Sequence, residues 1–169
     1  KMSDLVFYEH LSEFFSGVIV SSSDKDEVLN ASSAGSFTLN LIRFRYRNPL
    51  FNFWFFISCM RFALRARLRK ERYDLVVTYD PLKTGIFGIL TARILKARFA
   101  PEVNGVYTSP AVYMDDANKL RSSVKRGLYP IIESLVLGRS DGIKTLFPSQ
   151  LEPFRKHIRR QVVGCFPAY

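Results

Sequence analysis

The chain has 169 residues, of which 47% are hydrophobic and 14% aromatic, a composition that excludes a disordered protein and suffices for one domain with a packed core. The net charge of +10 indicates an anionic partner, whether lipid headgroups, nucleic acid or a phosphorylated substrate. The two cysteines and two histidines stand in no metal-binding or redox spacing, which argues against a zinc site and indicates a reduced, cytosolic protein.

Short elements open the chain. A helix that ends at Gly17 is followed by a buried strand over 18–21, a polar loop over 22–36 and a second strand over 37–44. Because an α/β domain usually opens with a strand, we expect further residues before Lys1.

The polar loop holds two acids, Asp24 and Asp26, just after the first strand. Carboxylates at a strand end are ligands that a divalent cation on a diphosphate prefers. The alternative is a solvated loop, which the neighbouring serines and aspartates favour. We therefore assign no metal.

A long helix is predicted over 49–72, with an almost entirely apolar first half and a strongly basic second half. Steps of three and four residues predict a shared basic face close to Trp54. The basic face comprises Arg61, Arg65, Arg69 and Arg72.

This basic helix has two interpretations. It suits a helix that lies on an anionic membrane surface, because it is too polar to span a bilayer. It also suits an ordinary sheet-covering helix with a solvated basic side. Nucleic acid competes for the same charge, but no groove-reading or single-strand-binding module is recognisable.

Residues 73–107 predict a strand, a helix with Thr84 as a possible cap, and a second strand that stops at Asn104-Gly105. Such a βαβ unit belongs in a parallel sheet, where ligands bind beyond the carboxyl ends of the strands. That position falls at Asp80 and at residues 102–107.

The remainder predicts a helix over 118–138 that Pro130 kinks or splits, a strand over 141–147, a short helix over 150–159 and a strand over 162–166. No apolar run is long enough to span a membrane. The whole pattern predicts an α/β fold: a Rossmann-like, three-layer domain over 1–169 with a mostly parallel sheet of about six strands.

Familiar phosphate-binding motifs are missing from the sequence. There is neither a G-x-G-x-x-G nor a P-loop, and Gly85 and Gly88 are interpreted as packing positions rather than a phosphate cradle. Glu102 is the sharpest candidate, since a carboxylate near a strand exit accepts hydrogen bonds from sugar hydroxyls or serves as a base. The alternative is a structural glutamate paired with an arginine. Gly105 either makes a turn with Asn104 or admits a ligand to the backbone.

The order of these segments resembles the N-terminal domain of family 4 glycosyltransferases, which have the GT-B fold. The resemblance covers nearly the whole chain. It rests on the strand at 73–80, the strand end at 101–105, the step into a strand at 139–144, Pro148-Ser149, and the closing strand at 161–167. The Pro167-Ala168-Tyr169 ending departs from the usual Pro-Asn-Gly.

The resemblance implies a hexosyltransferase that moves a sugar from a nucleotide-sugar donor to a lipid-linked or glycan acceptor at the cytoplasmic membrane face. The N-terminal domain of such enzymes holds the acceptor. The donor binds mainly to a C-terminal domain, and neither a cofactor nor a protein-bound metal is needed. The Glu-x7-Glu pattern of that C-terminal domain and the Gly-rich loop after the first strand are absent from these residues. The chain is therefore expected to be an acceptor-side fragment that is inactive alone, with its own donor domain, the acceptor and an anionic membrane surface as partners.

Carried over by position, the residues that match the family's cleft are those at the ends of three strands. They are Asp80, Lys83, Glu102, Asn104, Gly105 and Ser149. No catalytic residue follows from the match.

Two other hypotheses compete with this one. A non-enzymatic basic α/β module that binds anionic membrane or nucleic acid would make Glu102 structural and its binding salt-sensitive. A metal-dependent nucleotide-sugar enzyme that uses Asp24 and Asp26 would lose activity with a chelator.

Overall fold

The structure is a computed structural model that describes residues 9–23, 33–43, 50–107 and 119–165. The chain divides into two compact units, Lys1–Phe62 and Ala63–Tyr169. That residues 1–169 form a single domain stays a prediction. The elements follow in the order β1 (Gly17–Ser23), β2 (Ser33–Ala34), β3 (Phe37–Arg43), α1 (Phe51–Leu68), β4 (Leu75–Thr78), α2 (Lys83–Leu95), β5 (Arg98–Val103), α3 (Lys119–Gly138), β6 (Gly142–Thr145), the 3-10 helix η1 (Pro148–Phe154) and β7 (Val162–Cys165).

The first unit contains a small sheet of β1, β3 and β2 in that order. β1 and β3 pair in parallel and β2 pairs antiparallel with β3. Gly35 turns the chain between β2 and β3 with a φ of +57°, a conformation that glycine adopts without steric cost. Strands β1 and β3 confirm the two strands predicted here. β2 was not predicted because its two residues lie in a polar stretch.

α1 ends four residues earlier than the predicted end at 72. Lys70 takes a φ of 58°, and the Glu71 N–H donates to the Ala66 carbonyl over 3.0 Å. This closure of the helix end satisfies a carbonyl that would otherwise be left without a donor. Arg72 therefore follows a turn and is not held on the helical face of Arg61 and Arg65.

The buried side of α1 in the second unit is formed by alanines rather than by large apolar residues. Ala63 and Ala66 are buried in a cluster with Leu95, at the end of α2. Leu64 and Leu68 point away from this cluster, and Leu68 is 82% exposed. Leu64 and Leu68 thus lie in solvent beside the arginines of α1.

The second unit is built on an all-parallel sheet in the order β4-β5-β6-β7. β4 and β5 pair in parallel across α2, which confirms the βαβ unit predicted over 73–107. Asp141 links two strands, because its carboxylate accepts the Phe99 N–H and its own N–H donates to the Phe99 carbonyl, both over 2.8 Å.

Helices α2 and α3 pack on one face of this sheet. Phe99 of β5 packs with Ile89 of α2 and Val136 of α3, and Val103 packs with Leu137. Two glycines of α2 allow this close approach. A Cβ on Gly85 would lie 2.8 Å from Val136, and one on Gly88 would overlap Thr78 and Phe99. Both glycines are packing positions, as interpreted from the sequence.

The opposite face of the sheet, here called the outer face, carries the alternate residues of each strand. Strand register places Val77 beside Ala100 and Glu102 beside Lys144 on this face. Leu75 and Val77 are exposed there. The outer face therefore combines aliphatic side chains with the ion pair of Glu102 and Lys144.

The α/β, Rossmann-like class with mostly parallel sheets is confirmed. Two local predictions need comment. α3 continues as one helix through Pro130, so Pro130 does not split it, and a kink there stays a prediction. The helix predicted over 150–159 is instead the 3-10 helix η1, which contains Pro148 and Pro153, and a proline at the second of these positions removes a helical hydrogen-bond donor.

Candidate functional site

A hydrogen-bonded network crosses the carboxyl ends of three neighbouring strands. Lys144 Nζ lies 2.7 Å from Glu102 Oε1, joining β6 to β5. Asn104 Nδ2 donates to the Tyr79 carbonyl over 2.8 Å and to Glu102 Oε2 over 3.4 Å, joining β5 to the end of β4. We call Tyr79, Glu102, Asn104 and Lys144 the outer-face network.

Strand alternation explains why these four residues meet. Thr78 and Val103 lie on the side covered by helices, so the residues that follow them, Tyr79 and Asn104, fall on the outer face. Parallel strands end at the same edge of a sheet, which brings polar residues from three segments together.

The network is partly accessible to solvent. The Glu102 side chain is 16% exposed and hydrogen-bonded to a cation, so its carboxylate is held in one orientation. Tyr79 joins the network through its carbonyl, and its side chain is 74% exposed. The site thus offers a fixed carboxylate, an ammonium group and an amide at the strand ends, with an exposed aromatic side chain on the segment that follows β4.

This set of groups matches the chemistry of a sugar. A carboxylate accepts hydrogen bonds from hydroxyl groups, an ammonium group donates to hydroxyl oxygens, and an amide does both. An exposed aromatic ring covers the apolar face of a pyranose and excludes water from it.

Asp80, a predicted cleft residue, is engaged in the start of α2. Its carboxylate accepts the Leu82 N–H over 2.7 Å and the Thr84 hydroxyl over 2.7 Å. Thr84 is therefore inside the first turn rather than the cap, and Asp80 accepts the backbone N–H of Leu82, the residue that precedes α2. Lys83 is exposed in that same turn.

Gly105 and Ser149 do not join the network. A Cβ on Gly105 would meet only the Tyr107 ring, at 3.8 Å and beyond, so packing does not require glycine there. Ser149 is exposed on η1. Its neighbour Gln150 is buried instead, and its Oε1 accepts the N–H groups of Leu146 and Phe147 over 3.0 Å each. Gln150 fixes the turn that follows β6.

A second acid, Glu133, is buried on the side of the sheet that the helices cover. Glu133 of α3 is 1% exposed, and its Oε2 has no hydrogen-bond partner among the described residues. Burial raises the pKa of the Glu133 carboxyl to about 7. Burial also raises the pKa of Tyr107 to about 12, with further contributions from the charges of Asp80, Glu133 and Tyr79.

Three residues of these two regions were not singled out from the sequence. Lys144 and Tyr79 are ordinary polar residues at strand ends. Register brings Lys144 to Glu102, and Tyr79 joins the network through its carbonyl, which accepts from Asn104. Glu133 did leave a signal, because it is an acid in the apolar run 131–137 of a helix. A charge on the apolar side of a helix is rare unless it is paired.

No three His, Cys, Asp or Glu side chains within the described ranges are grouped closely enough to hold a metal ion. Asp24 and Asp26 lie outside those ranges. Burial raises the pKa of the Cys59 thiol to about 11, so this thiol is scarcely ionised near neutral pH.

The basic residues proposed for membrane contact are exposed, as is Trp54. Arg61 and Arg65 lie on α1. Arg69 follows the helix and lies 3.8 Å from Glu71. None of the described helices combines the length and the apolar character that crossing a membrane requires.

Comparison with models of known protein families finds no match for this chain, and neither does comparison with curated proteins.

Proposed function

We propose that this chain is the acceptor-binding domain of a hexosyltransferase-type glycosyltransferase. In this proposal the full-length protein transfers a sugar from a nucleotide-sugar donor to a lipid-linked or glycan acceptor at the cytoplasmic membrane face. The outer-face network at the carboxyl ends of β4, β5 and β6 carries the proposal, because it presents sugar-binding groups where parallel sheets bind their ligands.

Glu102 is the central residue of the proposed acceptor site. Its Oε1 is bound to Lys144 and its Oε2 to Asn104, and each carboxylate oxygen has capacity for a further hydrogen bond. An acceptor hydroxyl would donate to Glu102 while Lys144 donates to a neighbouring hydroxyl oxygen. Tyr79 would cover the ring.

Donor binding is assigned to a second α/β domain that would follow this one in the full-length protein. The charge developing on the leaving diphosphate is then stabilised outside these residues. The chain alone is expected to bind acceptor sugar and to release no nucleotide.

The test is nucleoside diphosphate release by the full-length protein from a panel of sugar nucleotides, with and without chelator. Release that survives chelator is expected, because glycosyltransferases of the family that this chain resembles need no protein-bound metal. Glu102→Gln removes a hydrogen bond to a charged acceptor, worth roughly 1.5–3 kcal/mol, so kcat/KM is expected to fall about tenfold to a hundredfold.

Glu152→Gln is the matched control. Glu152 is an exposed acid on η1 that lies 3.9 Å from Arg155 and is not a member of the outer-face network. Equal losses in both variants, or no release from any donor, would contradict the proposal.

A second candidate function is contact of α1 with an anionic bilayer, which the exposed Leu64 and Leu68 beside Arg65 favour. Apolar and basic side chains on one exposed surface suit the headgroup region. Arg61→Glu/Arg65→Glu/Arg69→Glu is expected to reduce co-sedimentation with anionic vesicles. Unchanged binding would leave the end of α1 with a packing role only, through Ala63 and Ala66 against Leu95. Nucleic acid is not proposed as a partner.

A further inference from the structure

α3 leaves a line of aliphatic side chains in solvent. Steps of four, three and four residues place them on one side of the helix, opposite buried Glu133. They are between 42% and 64% exposed, which is unusual for a continuous aliphatic row. The row consists of Val124, Leu128, Ile131 and Leu135.

The C-terminal half of this row, Ile131 and Leu135, borders an open groove of about 730 Å³ between α3 and the segment that follows η1. Its apolar side is formed by Pro130, Ile131 and Leu135. The two segments meet at Gly138, where a Cβ would make an ordinary van der Waals contact with the His157 carbonyl oxygen at 3.5 Å.

Three basic side chains border the same groove: Arg139, Lys156 and Arg159. All three are exposed, and none forms an ion pair within the described part of the chain. Glu133, the acid nearest in sequence on α3, is buried on the other side of that helix. The groove therefore combines an apolar side with an uncompensated positive border.

We propose that this surface, the aliphatic row of α3 together with the groove and its basic border, docks on an anionic lipid bilayer. The aliphatic row enters the boundary between headgroups and acyl chains, and the basic border binds lipid phosphates. Long basic side chains next to aliphatic ones achieve this because their stems lie along the apolar surface while their charges reach the headgroups.

Charge decides between a bilayer and a second copy of this chain. The chain carries a net charge of +10, so a second copy would bring positive charge towards a positive border. An anionic bilayer supplies the opposite charge, and each basic residue near its surface contributes about 1 kcal/mol.

The inference does not depend on the proposed acceptor site, which lies at the carboxyl ends of the strands. The groove lies at the opposite edge of the sheet, where Gly138 and Arg139 precede the first residue of β6, Gly142. A failure of vesicle binding and a failure of sugar transfer are therefore separate results.

The experiment is co-sedimentation of the whole chain with vesicles of phosphatidylcholine, alone or mixed with phosphatidylglycerol. Binding is expected only to the mixed vesicles. Arg139→Glu/Lys156→Glu is expected to weaken the partition coefficient about tenfold or more. Ile131→Ser/Leu135→Ser, which removes exposed apolar area, is expected to weaken it about tenfold.

Arg93→Glu/Arg98→Glu is the charge-matched control, because both residues are exposed and border neither the groove nor the aliphatic row. It is expected to weaken binding less than about threefold, through net charge alone. Circular dichroism melts verify that each variant is folded.

Any of three results would overturn the proposal. The first is that the groove variants weaken vesicle binding no more than the control variant does. The second is that only Arg61→Glu/Arg65→Glu/Arg69→Glu weakens vesicle binding, which would assign the contact to α1. The third is that sedimentation velocity shows a dimer that Ile131→Ser/Leu135→Ser dissociates, which would make a second copy the occupant.

Discussion

Glu102 and Glu133 lie on opposite sides of one parallel sheet, and they have opposite surroundings. Glu102 on the outer face is bound by Lys144 and Asn104 and remains accessible to solvent. Glu133 under the helices is buried, and the described residues provide no hydrogen bond to its Oε2. A ligand can reach the first acid and not the second, so Glu102 is the acid that is available for binding.

The buried acid should instead control the pH dependence of stability. The pKa of Glu133 is about 7 in the folded state against a reference value of 4.5, so the folded state retains a proton that the unfolded state has lost. The contribution of Glu133 to the free energy of unfolding therefore falls as the pH rises from about 4.5 to about 7. Outside that window this contribution does not change with pH.

The largest expected effect follows from Glu133→Gln, which keeps the shape and removes the ionisation. At pH 8 the variant is expected to be more stable than the native protein by roughly 3 kcal/mol, and at pH 4 by little. Urea unfolding of both proteins across this pH range measures the difference. An equal gain at both pH values would mean that Glu133 is not a desolvated acid.

A smaller effect is expected from Gly85→Ala, which tests the packing that buries Glu133. The new methyl group would press on Val136, one turn of α3 away from Glu133, and on the Asp80 carbonyl. The loss of stability should be about 1–3 kcal/mol, and the pH dependence attributed to Glu133 should weaken as water enters.

Gly127→Ala is the control for that substitution. Among the described residues, nothing lies within 4 Å of a Cβ at Gly127, which is on α3 as well. Alanine there should stabilise the protein by about 0.5–1 kcal/mol through helix propensity. A similar loss in both variants would show that α2 and α3 are not packed through Gly85.

The smallest expected effect concerns the partnered acid. The Lys144 side chain is about one-third exposed, so solvent screens its ion pair with Glu102. A double-mutant cycle with Glu102→Gln and Lys144→Ala should give a coupling of about 1 kcal/mol or less. A much larger coupling would assign Glu102 a structural role and weaken its assignment to ligand binding.

The sequence predicts the sheet well because its strands are short, apolar and bounded by clear breaks. The strands at 73–80 and 98–104 and the helix between them follow from periodicity alone. Helix ends are predicted less well. Lys70 adopts a left-handed conformation that its residue type does not signal, so the end of α1 was placed too late.

The candidate site is predicted only in part. Glu102 and Asn104 follow from their place at a strand end. The ion pair with Lys144 depends on register between strands 42 residues apart in sequence, which no local pattern contains. The sequence also predicts that Asp80 follows the carboxyl end of a strand. Its hydrogen bond to the Leu82 N–H at the start of α2 depends on the conformation of the turn, which the sequence does not show.

The most direct test of the account is an NMR titration of the isotope-labelled chain with a panel of mono- and disaccharides. The account predicts that backbone signals of Tyr79, Glu102, Asn104 and Lys144 shift together, and that Glu102→Gln abolishes the shifts while Glu152→Gln retains them. Shifts confined to other residues, or none with any sugar in the panel, would contradict an acceptor site on the outer face.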